Sequence, residues 1–225
     1  AGTAITTGDY NTAVGGRDTL SATTTGSYNV ALGNYTLSSN TTTGNNTAVG
    51  YAALNANTAN NNSAFGYEAL LTNTTGARNV AIGYQALKVN TTGGNNTACG
   101  YHSLLDNTTG AYNTALGDAA LANNTTANAN TAVGYAALSL NTTGANNVAV
   151  GYGALDANTT ASNNTAIGYA TLTANTTGAF NTALGGFALA TSTTASNNTA
   201  VGYEALLVNT TGANSTAVGK DALKA

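Results

Sequence analysis

Proline, methionine and tryptophan are absent from this sequence, cysteine and histidine occur once each, and only 6% of its 225 residues are charged. Each shortage excludes something. A formal net charge of -3 offers no basic patch for phosphates, so neither nucleic acid nor an anionic membrane surface is an expected partner. No apolar run reaches the roughly 20 residues a membrane-spanning helix needs, and no charged-then-apolar leader opens the chain, so membrane insertion is not expected. One cysteine cannot close an internal disulfide. One histidine and eight scattered acids leave acid–base catalysis poorly supplied, so the chain is not read as an enzyme. No cofactor or metal is expected either: the turns carry no aspartate for calcium, and G-G-N-N at 93–96 is followed by no phosphate-binding lysine. A chain without methionine is expected to be processed, or excerpted from a longer one.

What the sequence does contain is alanine, glycine, threonine and asparagine in a repeat. NNTAVGYEALLVNTTGA at 197–213 restates NNTAIGYATLTANTTGA at 163–179. The anchoring glycines are Gly15, Gly33, Gly50, Gly66, Gly83, Gly100, Gly117, Gly134, Gly151, Gly168, Gly185, Gly202 and Gly219, with a period of 17 after early intervals of 18 and 16. Read as columns, the 13 copies show what each position tolerates. Before the glycine stands an apolar residue, among them Val14, Phe65, Ile82, Cys99 and Leu184. Before that is always alanine, and asparagine lies four before the glycine in 12 of 13 copies. A leucine follows the glycine four residues later in nearly all.

The alternation in N-[TV]-A-[VIL]-G-Y predicts a strand with Thr or Val, the aliphatic residue and Tyr facing a core, and Asn, Ala and Gly on the other side. Repeated every 17 residues, it predicts an all-β parallel β-solenoid, or β-roll, of about 13 rungs, with the leucine entering the core from the second side of the rung. N-T-T-G would supply a turn whose glycine permits positive φ. The alternative is a strand plus a short helical turn over Y-x-A-L-x-x, since YEALL and YQALK hold good helix formers. Residues 1–225 read as a single array with no separate domains and no evident caps. At strand spacing the rungs would build a rod on the order of 60 Å long, its asparagines stacked in hydrogen-bonded ladders. No charge falls in the aliphatic or alanine columns, so both are expected to be covered.

Four sets of candidate residues follow. The small residues Ala48, Gly50, Ala81, Gly83, Ala132, Gly134, Ala166 and Gly168 form a strip that either fills a narrow solenoid or lets another protomer approach closely. Asn40, Asn73, Asn90, Asn107, Asn124, Asn141, Asn158, Asn175 and Asn209 each begin an N-T-T sequon, read either as turn chemistry or as N-glycosylation sites. Cys99 and His102 are expected on different sides of the rung, Cys99 buried and His102 exposed. The tyrosine column (Tyr51, Tyr67, Tyr84, Tyr101 and others) is expected to stack.

The columns N-T-A-V-G-Y-x-A-L-x-x-N-T-T-G resemble the repeat arrays of phage and related tail-fibre proteins, over nearly the whole chain. They are similar, more weakly, to the head repeats of trimeric autotransporter adhesins, which form a left-handed parallel β-roll in three chains. The resemblance implies an extracellular element, at a cell surface or in a virion fibre, and carries over no catalytic residue. The expected function is a structural β-solenoid subunit or shaft segment of a filament or fibre, partnered by copies of itself and able to stack end to end. The alternative is an adhesin module recognising surface glycans. Ice binding is more remote, because the paired threonines sit adjacent in a turn rather than alternating on a strand.

Overall fold

The computed structural model describes residues 1–224 and is all-β, a parallel β-solenoid built on the 17-residue repeat, with no helix among the described residues. Two compact units, Ala1–Tyr112 and Asn113–Ala225, are distinguished and are taken separately. The first holds β1 (Thr12–Val14), β2 (Val30–Leu32), β3 (Thr47–Val49), β4 (Ser63–Phe65), β5 (Val80–Ile82) and β6 (Thr97–Cys99). The second holds β7 (Thr114–Leu116), β8 (Thr131–Val133), β9 (Val148–Val150), β10 (Thr165–Ile167), β11 (Thr182–Leu184), β12 (Thr199–Val201) and β13 (Thr216–Val218). Within each unit every strand pairs in parallel with the next, like residue opposite like: Ala81 against Ala98, Ala149 against Ala166.

The hydrogen bonding continues around the rung. Val148 N–H donates to Asn164 O at 2.8 Å, Gly168 to Val150 O at 2.8 Å, Leu155 to Thr171 O at 3.0 Å and Thr142 to Thr159 O at 2.9 Å. Turn and strand alike spend their N–H groups on neighbouring rungs. This gives a physical reason for the missing proline, which at any of these donor positions would delete a rung-to-rung bond.

The strand has the period read from the sequence but the opposite phase. Its middle alanine is fully buried, as at Ala31, Ala81, Ala149 and Ala200, while the residues on either side face solvent. Leucine from the far side of the rung fills the centre, with Leu54, Leu87, Leu138 and Leu155 at 0% exposure, each fully buried leucine contributing about 1.5–3 kcal/mol. With leucine and asparagine already opposite, the strand has room for a methyl group and no more. An inward valine or isoleucine would overpack the rung. The expectation that the aliphatic column is covered is therefore overturned.

The segment after the glycine is neither helix nor second strand. Two of its residues take left-handed φ, the second and the leucine: Glu68 (53°) and Leu70 (52°), Gln85 (56°) and Leu87 (51°). Such residues cost about 1–2 kcal/mol each, a cost that leucine burial and the rung-to-rung bonds offset. The anchoring glycine is required outright: at Gly151 φ is 137°, and a Cβ would sit 2.3 Å from Gly168 O. The N-T-T-G glycines do not take positive φ; the third left-handed residue of the rung is instead the one before the buried asparagine, such as Asn146 (59°).

The irregular intervals have local explanations. The extra residue lies in the pair Gly15-Gly16, between Val14, paired with Leu32, and Arg17, whose carbonyl accepts from Tyr35 N–H as in the regular rungs; Asp18 (49°) and Leu20 (49°) already hold the two left-handed places. The short interval falls in the turn Asn57-Thr58-Ala59, where Asn57 Nδ2 reaches Ala59 O at 2.8 Å two residues on instead of three.

Candidate functional site: the outward strand face and its buried frame

Two asparagine columns form the frame. In the first, each Oδ1 accepts the backbone N–H of the next asparagine in the column, while Nδ2 donates to a turn carbonyl of the following rung. Asn147 Oδ1 accepts from Asn164 N–H at 2.9 Å, and its Nδ2 donates to Ala161 O at 2.9 Å. In the second, the N-T-T asparagines join amide to amide. Asn90 Nδ2 donates to Asn73 Oδ1 at 2.7 Å and Asn158 Nδ2 to Asn141 Oδ1 at 2.8 Å, each also reaching the carbonyl three residues on. Asn40, Asn73, Asn90, Asn107, Asn124, Asn141, Asn158 and Asn175 are all at 0% exposure. A glycan on any of these nitrogens would take the place of a buried ladder bond, so glycosylation at these eight is incompatible with the fold. Asn209 is partly exposed and its Nδ2 bonds only its own turn, to Gly212 O at 2.8 Å.

Outside this frame lies the strand face. Leu32, Phe65, Ile82, Ile167 and Leu184 are 37–45% exposed, Cys99 is exposed beside Ile82, and Thr or Val stands two residues earlier on each strand except β4, which has Ser63. Neither column contains a charge. Beside them runs the tyrosine ladder: Tyr51, Tyr67, Tyr84 and Tyr101 stack in series with centroids 5.2–5.4 Å apart and planes 8–13° from parallel. Tyr135, Tyr152 and Tyr169 do the same in the second unit. Each ring covers its neighbour's face. Tyr35 meets Tyr51 edge-on and His102 lies over Tyr101 at 3.8 Å, so the ends of the first series are covered too.

A polar margin flanks the ladder. Glu68 pairs with Lys88 at 2.8 Å and accepts from Gln85 Nε2 at 2.8 Å, and Gln85 Oε1 lies 3.1 Å from His102 Nε2. The Lys88 ammonium holds the Glu68 carboxyl below its usual range, with Gln85 and Tyr67 adding to the effect. In the second unit Lys224 does the same to Glu204, which in turn raises the Tyr203 phenol.

The small-residue strip is not on this surface. Ala48, Ala81, Ala132 and Ala166 are at 0% exposure, and Gly50, Gly83, Gly134 and Gly168 are half-buried, so the strip fills the narrow solenoid instead of meeting another protomer. Cys99, expected inside, is outside for the same reason of phase. A signal for the true phase was present: alanine never varies in its column, as a close-packed position demands, while the neighbouring column accepts Val, Leu, Phe, Ile and Cys. The described residues enclose no pocket and gather no cluster of three His, Cys, Asp or Glu side chains. Among the described residues no helix is long and apolar enough to cross a membrane. In comparisons with known proteins, no family model, curated protein or solved structure matches the chain.

Proposed function

We propose that this chain is a structural protein, a β-solenoid segment of an extracellular filament or fibre that works together with copies of itself. The observation that carries the reading is the continuity of bonding along each stack. Strand, turn and two buried asparagine columns all hydrogen-bond rung to rung, so tension along the stack is shared by many parallel bonds. Repetition of one rung chemistry suits a role in which every rung does the same work, and the resemblance to tail-fibre arrays supports a place outside the cell or on a virion. The role is mechanical and asks for no catalytic residue. A glycan partner is not part of the proposal, because the stacked tyrosines offer ring edges where a sugar needs an open face.

Electron microscopy and fibre diffraction of the purified chain test this. Elongated assemblies with a repeat of about 4.8 Å along the long axis are expected. Compact, discrete particles at every concentration would sink it.

A further inference from the structure

We propose that the outward strand face, with its Thr/Val and aliphatic columns and the tyrosine ladder beside them, is the lateral contact between copies of this chain. The inference rests on the fibre reading above and adds the surface through which copies meet. Three observations carry it.

The first is area. A half-exposed tyrosine leaves about 100 Å² open, and the aliphatic residue with its Thr or Val neighbour adds about as much again. The four tyrosine-bearing rungs from Thr47 to Tyr101 thus present roughly 800 Å² in one patch, the share each partner buries in a standard interface. Proteins that stay monomeric rarely expose apolar patches beyond roughly 300–600 Å². The second is chemistry. The two strand columns carry no charge, and the tyrosine column carries none from Tyr51 to Tyr101 and is interrupted by Asp118 and Lys220 elsewhere. The strand residues vary in size as packed apolar positions do, and a charged margin of Glu68, Lys88 and Glu204 borders the face, matching the apolar centre and polar rim of protein interfaces. The third is period. The side chains recur once per rung, and the partner certain to carry the same axial repeat is another copy, its sheet packed about 10 Å away.

Cys99 sits on this face and is the only thiol, so the native chain carries its own reporter. Sedimentation velocity and maleimide labelling would compare the full chain with the double variant Ile82→Lys, Ile167→Lys, one change in each unit. At about 50 µM, well above a micromolar Kd, the unaltered chain is expected to sediment as an oligomer and label at Cys99 at least about ten-fold more slowly than the variant, which sediments as a single chain. If the variant misfolds by circular dichroism, dilution of the unaltered chain decides: protection lost on dilution supports the proposal, and protection independent of concentration overturns it. An unaltered chain that stays single at all concentrations, or a folded variant that assembles like it, overturns it too. So does thermal hysteresis from a single chain, which would make ice the occupant; the strand threonines do alternate with aliphatic residues here, as in β8 and β10, unlike those of the turn. Filaments whose Cys99 labels freely would leave the fibre reading standing and remove this contact. Compact oligomers with Cys99 protected would do the reverse.

Discussion

Ser192 marks a defect in the second asparagine ladder, and repairing it should stabilise the protein. In this column Asn158 Nδ2 reaches Asn141 Oδ1 and Asn175 Nδ2 reaches Asn158 Oδ1 at 3.2 Å. The next position is Ser192, whose side chain is too short to continue the series. Asn175 Oδ1 and Ser192 Oγ are left buried without a partner. Ser192→Asn would place an amide where the other rungs hold one, donating to Asn175 Oδ1 and to Ala195 O and accepting from Asn209 Nδ2. Satisfying a buried acceptor is worth about 1–3 kcal/mol and each added bond about 0.5–1.5 kcal/mol. Ordering the longer side chain offsets part of this, at up to about 2 kcal/mol. The net gain is roughly 1–3 kcal/mol, a rise in Tm of about 3–9 °C for a chain of this size. Thermal and urea unfolding followed by circular dichroism measure it, with Ser192→Ala as the control that leaves Asn175 unpaired and gains little. A Ser192→Asn variant no more stable than the parent would refute the ladder as a source of stability.

Asn147→Ala should cost roughly 2–4 kcal/mol, because it strips the partner from Asn164 N–H and one of two donors from Ala161 O, which keeps Asn158 Nδ2; hydrogen exchange at the Asn164 amide localises the loss. Gly151→Ala should prevent that rung from forming, whereas Gly153→Ala, at φ 60° with nothing within 4 Å, should change stability by no more than about 1 kcal/mol, since Ala136 and Ala170 hold the same place in their rungs; thermal unfolding separates the two. Acid should loosen the rung contact made by Glu204. The folded Glu204 carboxyl titrates lower than in the unfolded chain, so its contribution is full above the ordinary carboxylate range and is lost as pH falls through the lowered value. Exchange at the Asp221 amide, bonded to Tyr203 O at 2.9 Å, should quicken over that window, and Glu204→Gln should reduce the effect, the Asp221 carboxyl, lowered against its own desolvation by Lys224 and Lys220, supplying the rest.

The repeat, its register, the parallel solenoid, the leucine core and a stacked, hydrogen-bonded asparagine column were legible from the columns, because each depends on like residues falling opposite like. That column bonds amide to backbone, and the amide-to-amide ladder belongs to the N-T-T asparagines instead. The facing of the strand was not. Period 2 gives alternation without its phase, and ordinary burial preference assigns Val and Ile to the inside. That preference fails here because the rung is narrow: Leu155 and the asparagine columns already occupy the space across from Ala149. The N-T-T asparagines were ambiguous for a related reason, since a sequon and a buried amide that bonds three residues ahead share the same letters. The left-handed leucines left no trace in composition, as leucine is rarely found at positive φ.

The inward alanine and outward aliphatic assignment underlies both the interior and the proposed contact, and one pair of substitutions in β10 tests it directly. Unfolding would be measured at concentrations low enough to keep chains separate. Ala166→Leu should destabilise strongly, by at least about 1–3 kcal/mol from overpacking. Ile167→Ala, at a residue 37% exposed, should cost less than about 1 kcal/mol in the single chain. The opposite order, with Ile167→Ala costing the roughly 2–5 kcal/mol of a core truncation and Ala166→Leu tolerated, would contradict the account.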